Sequence, residues 1–319
     1  YLSVMDYFKP TFYLGMTASP DRTDSFNIYE LFNNNIVYEV RLKEAMENDL
    51  LCPFHYFGIS DLEIDGQPID ELSDFSKLYS DKRVNHIIDR IKYYGYSGNR
   101  VKGLVFCSSK QEAKALSDEL NKRGFKTTSL TGEDSQERRE REVERLVADS
   151  GDVLDYIFTV DIFNEGVDIP EVNQVVMLRP TQSAIVFIQQ LGRGLRKSKD
   201  KDFVVIIDFI ANYKNNFLIP VALSGDNSYD KDTVRKFLSQ GTRYLPGTST
   251  IHFDEISKQR IYSAIDNVKL NTWIFVATEY SKLKNKLGRI PTYYDFENYD
   301  ALDIKKIFEV AGSYYTFLT

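Results

Sequence analysis

Between positions 103 and 209 one pattern recurs: a short strand-forming run, a polar turn, then apolar residues at helical spacing. The runs at 103–107, 127–130, 155–160, 174–178 and 203–209 are too short for helices and predict buried strands. Helices are predicted between them over 109–123, 135–147 and 184–191, with Ser109 capping the first and Gly124 ending it. Strands that alternate with helices of about 10–15 residues argue for an α/β fold with a parallel sheet and helices on both faces. Ligands of such sheets collect beyond the carboxyl ends of the strands.

The rest of the chain fits around this block. Residues 11–18 read as a buried strand closed by the turn signal Ser19-Pro20-Asp21-Arg22. A helix is expected over 41–50, a strand over 52–59, an irregular acidic loop over 60–73, and a helix over 74–94, where Phe75, Leu78, Val84, Ile87, Ile88 and Ile91 share a stripe. Near 212 the chain becomes rich in Tyr and Phe and mostly helical in pattern, which predicts a domain boundary there.

Composition narrows the class. A length of 319 residues suits about two domains. The net charge of −7 gives no overall basic footprint, so any contact with nucleic acid must come from local donors in a groove. Cys52 and Cys107 have neither disulfide nor zinc spacing and read as buried free thiols in a reducing, cytoplasmic setting. His55, His86 and His252 form no ligand cluster, so no metal ligand is expected in this chain. No run approaches the roughly 18 apolar residues of a membrane span. The first residues, Tyr1-Leu-Ser-Val-Met-Asp, lack an initiator Met and a signal peptide, so the chain is expected to be part of something longer.

Five short motifs carry chemistry. Gln189-Gln190-Leu191-Gly192-Arg193-Gly194-Leu195-Arg196 places two arginines three apart, with glycines that keep the backbone free of bulk. A guanidinium is planar, always ionised and rich in donors, which suits dispersed negative charge; a helix end whose arginines merely favour the dipole is the plainer alternative. Thr159, followed by 163–170 (Phe-Asn-Glu-Gly-Val-Asp-Ile-Pro), offers a hydroxyl, a close backbone approach at Gly166 and an acceptor at Asp168. Ser108 and Ser109, between a strand and a helix N-terminus, could meet an anion or simply cap. Thr131-Gly132 precedes a charged helix with Arg138, Arg139 and Arg141, which reads as a solvated face of Glu–Arg pairs. Thr17-Ala18-Ser19 puts two hydroxyls at a strand end.

In this order and spacing the five elements resemble superfamily 2 helicases over about residues 11–210. The resemblance implies that 1–30 end a first RecA-like lobe, that 31–212 form the second RecA-like lobe, and that 213–319 are an accessory domain. It implies Arg193 and Arg196 as arginine fingers, Gln189, Gly166 and Asp168 at the edge of bound ATP, and Ser108, Thr131 and Thr159 on the phosphates of a nucleic-acid strand, with DNA expected. Thr17 and Ser19 would couple the lobes. The chain departs from the family pattern in having no Gly-Lys-Ser/Thr phosphate loop and no Asp-Glu-x-His or Asp-Glu-x-Asp after an apolar strand. Asp254-Glu255-Ile256-Ser257 is the nearest string, and it falls after the arginines. ATP and Mg2+ would therefore be held mainly by a lobe outside these residues, and this chain alone is expected to bind ATP weakly and hydrolyse none. A motor serving a nuclease in restriction or phage defence, and a non-catalytic nucleic-acid-binding protein, are the other readings. In the tail, Gly288-Arg289-x-Pro291-Thr292 and Gly312-Ser313-Tyr314 look like a short helical repeat found beside homing nucleases and some helicases. That repeat implies basic and aromatic contacts to DNA; a capping domain with a Tyr/Phe core is the alternative.

Overall fold

In the computed structural model of the protein, β1 (Phe54–Ser60) is followed by a separate short antiparallel pair, β2 (Glu63–Ile64) and β3 (Gln67–Pro68). Then come β4 (Gly103–Phe106), β5 (Thr127–Leu130), β6 (Tyr156–Thr159), β7 (Gln174–Met177), β8 (Val204–Ile210) and β9 (Thr250–Phe253). The structure describes residues 2–17, 27–64, 67–68, 80–160, 169–179, 187–188, 190, 192–211, 213–240 and 247–319. Among these, seven strands form one sheet in the order β5-β6-β4-β7-β8-β1-β9, and every pair is parallel. The α/β class expected from the alternating pattern is what forms. Strands β4, β6, β7 and β8 are buried at every position, as a sheet covered on both faces requires.

The chain has two compact units. The sheet lies in the larger one, Val40–Asp226 with Asp230–Val268. Its helices include α2 (Leu42–Glu47), α3 (Asp81–Tyr94), α4 (Lys110–Lys122) and α5 (Gln136–Val147). Ser109 and Ser135 cap α4 and α5 by accepting the amides of Glu112 and Arg138. On one face of the sheet, Val84, Ile87, Ile88 and Ile91 of α3 and Leu116 of α4 pack with Val105, Phe158, Val176, Val205, Ile207 and Phe209. On the other face the Phe187 ring meets Tyr56, and Gly194 lies against Val175 and Val204. Of the expected helix over 184–191, the described residues 187, 188 and 190 are helical.

Two expectations are corrected. Residues 11–17 form no strand; Phe12, Leu14 and Met16 are exposed. A strand needs a partner for its backbone, and among the described residues this segment pairs with no strand. The sheet also does not end before 212. β9 pairs with β1, and α6 (Leu218–Ser224), α7 (Lys231–Gln240) and α8 (Glu255–Asn267) belong to the same unit.

On the Phe187 side, Asp208 of β8 is buried and accepts the Tyr56 hydroxyl at 2.5 Å. Burial pushes its carboxyl from the ordinary 3.8 up to about 7, with the Tyr56 hydrogen bond pulling the other way. The folded state therefore holds this proton more tightly than the unfolded chain. The resulting stability is full below the unfolded pKa and is lost as pH rises through about 7. Asp208→Asn removes the titration. Urea melts should show the native chain losing about 2 kcal/mol more than the variant between about pH 5 and pH 8; parallel profiles would exclude the assignment.

The smaller unit comprises Tyr1–Glu39, Asn227–Tyr229 and Lys269–Thr319. It holds α1 (Leu2–Phe8), α9 (Trp273–Leu287), α10 (Tyr293–Asn298), α11 (Lys305–Ala311) and α12 (Tyr314–Leu318). Tyr280 packs against the rings of Phe296, Tyr314 and Phe317 at its centre. Among the described residues no helix is long and apolar enough to cross a membrane.

Candidate functional site

The three residues expected on strand phosphates come together at the carboxyl edge of the sheet. Thr159 ends β6 and stands in register with Phe106 of β4 on one side and Leu130 of β5 on the other. Ser108 lies two residues past Phe106 and Thr131 one past Leu130, so the parallel register alone aligns them. Lys110 and Glu133 bridge the two flanking loops at 2.6 Å. The three are not equally available. Thr159 is fully buried, and its hydroxyl has no hydrogen-bond partner among the described residues. The amide and hydroxyl of exposed Ser108 both donate to Glu112, at 2.7 and 2.6 Å. Thr131 donates its amide and hydroxyl to Asp134, at 2.7 and 3.3 Å.

Behind this edge lies an ionic cluster that sequence reasoning missed. Arg83 of α3 is completely buried; it donates to Glu112 at 2.7 Å and to Asp61, just past β1, at 2.9 Å. Burial alone would lower its pKa, but the carboxylates of Asp61 and Glu112 outweigh burial and push it up. A signal existed: Arg83 stands four residues before Ile87 and eight before Ile91, on the apolar stripe of its helix. The arginines of α5 are engaged locally. Arg138 pairs with Asp134, Arg145 with Glu142 and Asp152, and Arg139 donates to the Gly132 carbonyl at 2.9 Å.

The arginine segment packs near the amino ends of the strands, away from the hydroxyl row. A Cβ on Gly194 would come within 2.8 Å of Val204 and 3.1 Å of Val175, at the amino ends of β8 and β7. The Leu195 carbonyl accepts the Cys52 amide at 2.7 Å, just before β1. Arg193 is half-buried and Arg196 exposed. Among the described residues nothing lies within 4 Å of a Cβ placed on Gly192, whereas packing requires the glycine at 194. Gly166, Asp168, Gln189 and Ser19 lie outside the described residues, and Thr17 is exposed in the smaller unit.

Lys201, unremarked in the sequence, holds this edge. It is buried, and its ammonium donates to the carbonyls of Pro170 at 2.5 Å, Val172 at 2.9 Å and Gly194 at 2.9 Å. Burial lowers its pKa to about 8, against the opposing pull of Cys52 and Glu171.

Two other motifs are structural. Asp254 caps α8 by accepting the Ser257 amide, and it also accepts the Ser60 amide and hydroxyl. Burial would raise its pKa, but these hydrogen bonds prevail and hold it below its ordinary range. In the tail, Arg289 grips Asp295 through two hydrogen bonds of 2.7 and 2.8 Å, and Asp295 closes a capping box with Thr292. The Tyr314 hydroxyl donates to the Pro291 carbonyl at 2.6 Å. Gly288 ends α9 at φ +65, with Asn34 where a Cβ would sit. The Gly-Arg-x-Pro-Thr and Gly-Ser-Tyr signatures thus hold the small helices together.

Known proteins were compared with this chain. Residues 82–198 match the helicase conserved C-terminal domain, and 276–319 match a domain of unknown function (DUF8090). The chain is 26% identical over 223 residues to IRC3 of Saccharomyces cerevisiae, assigned as an ATP-dependent helicase, covering 66% of this chain and 32% of that protein. It is 26% identical over 207 residues to the pre-mRNA-splicing ATP-dependent RNA helicase PRP28 of Debaryomyces hansenii, covering 64% and 30%. A solved fragment from Vibrio vulnificus YJ016, assigned as an HsdR subunit of a type I restriction enzyme, is similar with a TM-score of 0.51 and 25% identity. It covers 66% of this chain and 41% of that one. The chain thus spans about a third of the length of the two curated relatives named.

Proposed function

We propose that this chain, whose residues 82–198 are the C-terminal lobe of a superfamily 2 helicase, supplies two arginines and a strand-gripping edge to an ATP-driven motor on DNA. The observation that carries the reading is Arg193 and Arg196 flanking a glycine seated on the sheet and held by a buried lysine. Guanidiniums presented from a fixed backbone suit the outer face of a triphosphate. The inner face is another matter: no Gly-Lys-Ser/Thr string occurs, and among the described residues no group of three metal-binding side chains forms. That cradle belongs to a partner lobe.

When bound, ATP with Mg2+ supplies a phosphoryl group whose oxygens take up spreading charge during transfer. Arg193 and Arg196 donate to those oxygens from this side, while Gln189, Gly166 and Asp168 form the nucleotide's edge. At the far edge, Ser108 exchanges Glu112 for a strand phosphate oxygen, one charged acceptor for another, and Thr131 does the same with Asp134. Thr159 lies between them, and Thr17 and Ser19 couple the lobes. Residues 269–319, in the smaller unit, are the accessory part.

The test uses the protein carrying both lobes. Duplex DNA should stimulate its ATP hydrolysis more than RNA of the same sequence; indifference to nucleic acid would end the motor reading. Strand affinity should fall roughly tenfold or more between about 50 and 200 mM salt, because phosphate contacts release counterions. A flat response would remove the backbone-tracking role. The likeness to the HsdR fragment favours one further reading, a motor in a restriction assembly. ATP-dependent displacement of a triplex strand from duplex DNA would support it, and failure to displace would exclude it.

A further inference from the structure

We propose that Lys201 is the positioning residue of the arginine segment, clamping the backbone at Gly194 to the loop at Pro170 and Val172 and so fixing where Arg193 and Arg196 stand. The inference rests on the arginine reading above.

An ammonium has three donors, and here each has one carbonyl within 2.5–2.9 Å. Those carbonyls come from two segments separated by more than twenty positions: one leads into β7, and the other carries both arginines. Neither segment is a strand of the sheet at these points, so without Lys201 the buried carbonyls of Val172 and Gly194 would lose this donor. Gly194 is held from two directions. Val175 and Val204 seat it from below, which only a missing side chain allows, and Lys201 takes its carbonyl. Arg193 and Arg196 leave this anchored point on either side, so a shift at Gly194 moves both. The side chain must be a lysine, because a planar guanidinium is larger and cannot aim three donors tetrahedrally. A displacement of about 1 Å in a charge-stabilising group costs on the order of 10²-fold in rate.

The experiment measures DNA-stimulated ATP hydrolysis in the two-lobe protein for Lys201→Met, Arg193→Ala and the double variant, below melting temperatures measured for each. Lys201→Met should lower kcat by about 10²-fold, leave KM for ATP and DNA affinity within about threefold, and add little to Arg193→Ala in the double variant. Lys201→Gln keeps two donors; it should fold if Met does not, and its rate should fall between those of the native protein and Lys201→Met. A folded Lys201→Met or Lys201→Gln protein with native kcat overturns the inference, as does a double variant in which the two losses multiply. If Arg193→Ala itself hydrolyses ATP normally, the arginine reading fails instead, whatever Lys201 does.

Discussion

In the protein carrying both lobes, Arg193→Ala and Arg196→Ala should each cut DNA-stimulated ATP hydrolysis by about 10³-fold or more while changing DNA affinity less than about threefold. The separation follows from geometry. The arginines leave the amino edge of the sheet, and the hydroxyl row of Ser108, Thr131 and Thr159 lies at the carboxyl edge. On the proposed reading, loss of a guanidinium therefore removes charge stabilisation at the nucleotide without touching strand donors. Arg→Lys should restore little, because one compact ammonium cannot replace a planar fork on phosphate oxygens. Steady-state hydrolysis with saturating DNA, paired with fluorescence anisotropy of labelled DNA, reads both halves. Unchanged turnover would mean that the arginines serve only the helix end, and a parallel loss of affinity would mean that they contact the strand.

Arg83→Met should destabilise the larger unit by about 3–5 kcal/mol. The substitution keeps much of the volume but leaves Asp61 and Glu112 buried without their cation. Surface pairs offer the contrast: Lys122→Met breaks an exposed bridge to Glu119 and should leave stability nearly unchanged. Replacing Arg83, Asp61 and Glu112 together by apolar residues should recover part of the loss, since the penalty lies in uncompensated charge. Denaturant melts of the three variants measure this directly. A single-site cost near that of Lys122→Met would show that water reaches the cluster.

The sheet was legible because its signals are local. Period, turn residues and caps such as Ser109 place each strand and helix without knowledge of its neighbours. β9 was not legible: four residues, one of them an exposed histidine, become a strand only because β1 offers an edge. Residues 11–17 went the other way, an apolar run that pairs with no strand among the described residues. The arginine motif could be read from residue types, but its position could not, because which edge it reaches depends on how the chain returns after β7. Lys201 sits in Ser198-Lys199-Asp200-Lys201-Asp202, which reads as a solvated charge run. The turn that buries it exists only once 169–172 and 194 are in place. The tail signatures were visible as a motif, but the partner of Arg289 emerged only with the fold.

The opposite placement of arginines and hydroxyl row has a mechanical consequence. β6 is four residues long, so roughly 13 Å of stiff, fully covered strand lies between the two edges. Side chains packed this tightly do not slide past one another by small increments. In the motor proposed above, a pull on the arginines would reach the hydroxyl row as a tilt of the whole slab, and step length would follow the lever arm of the lobe rather than any relay of small movements inside it.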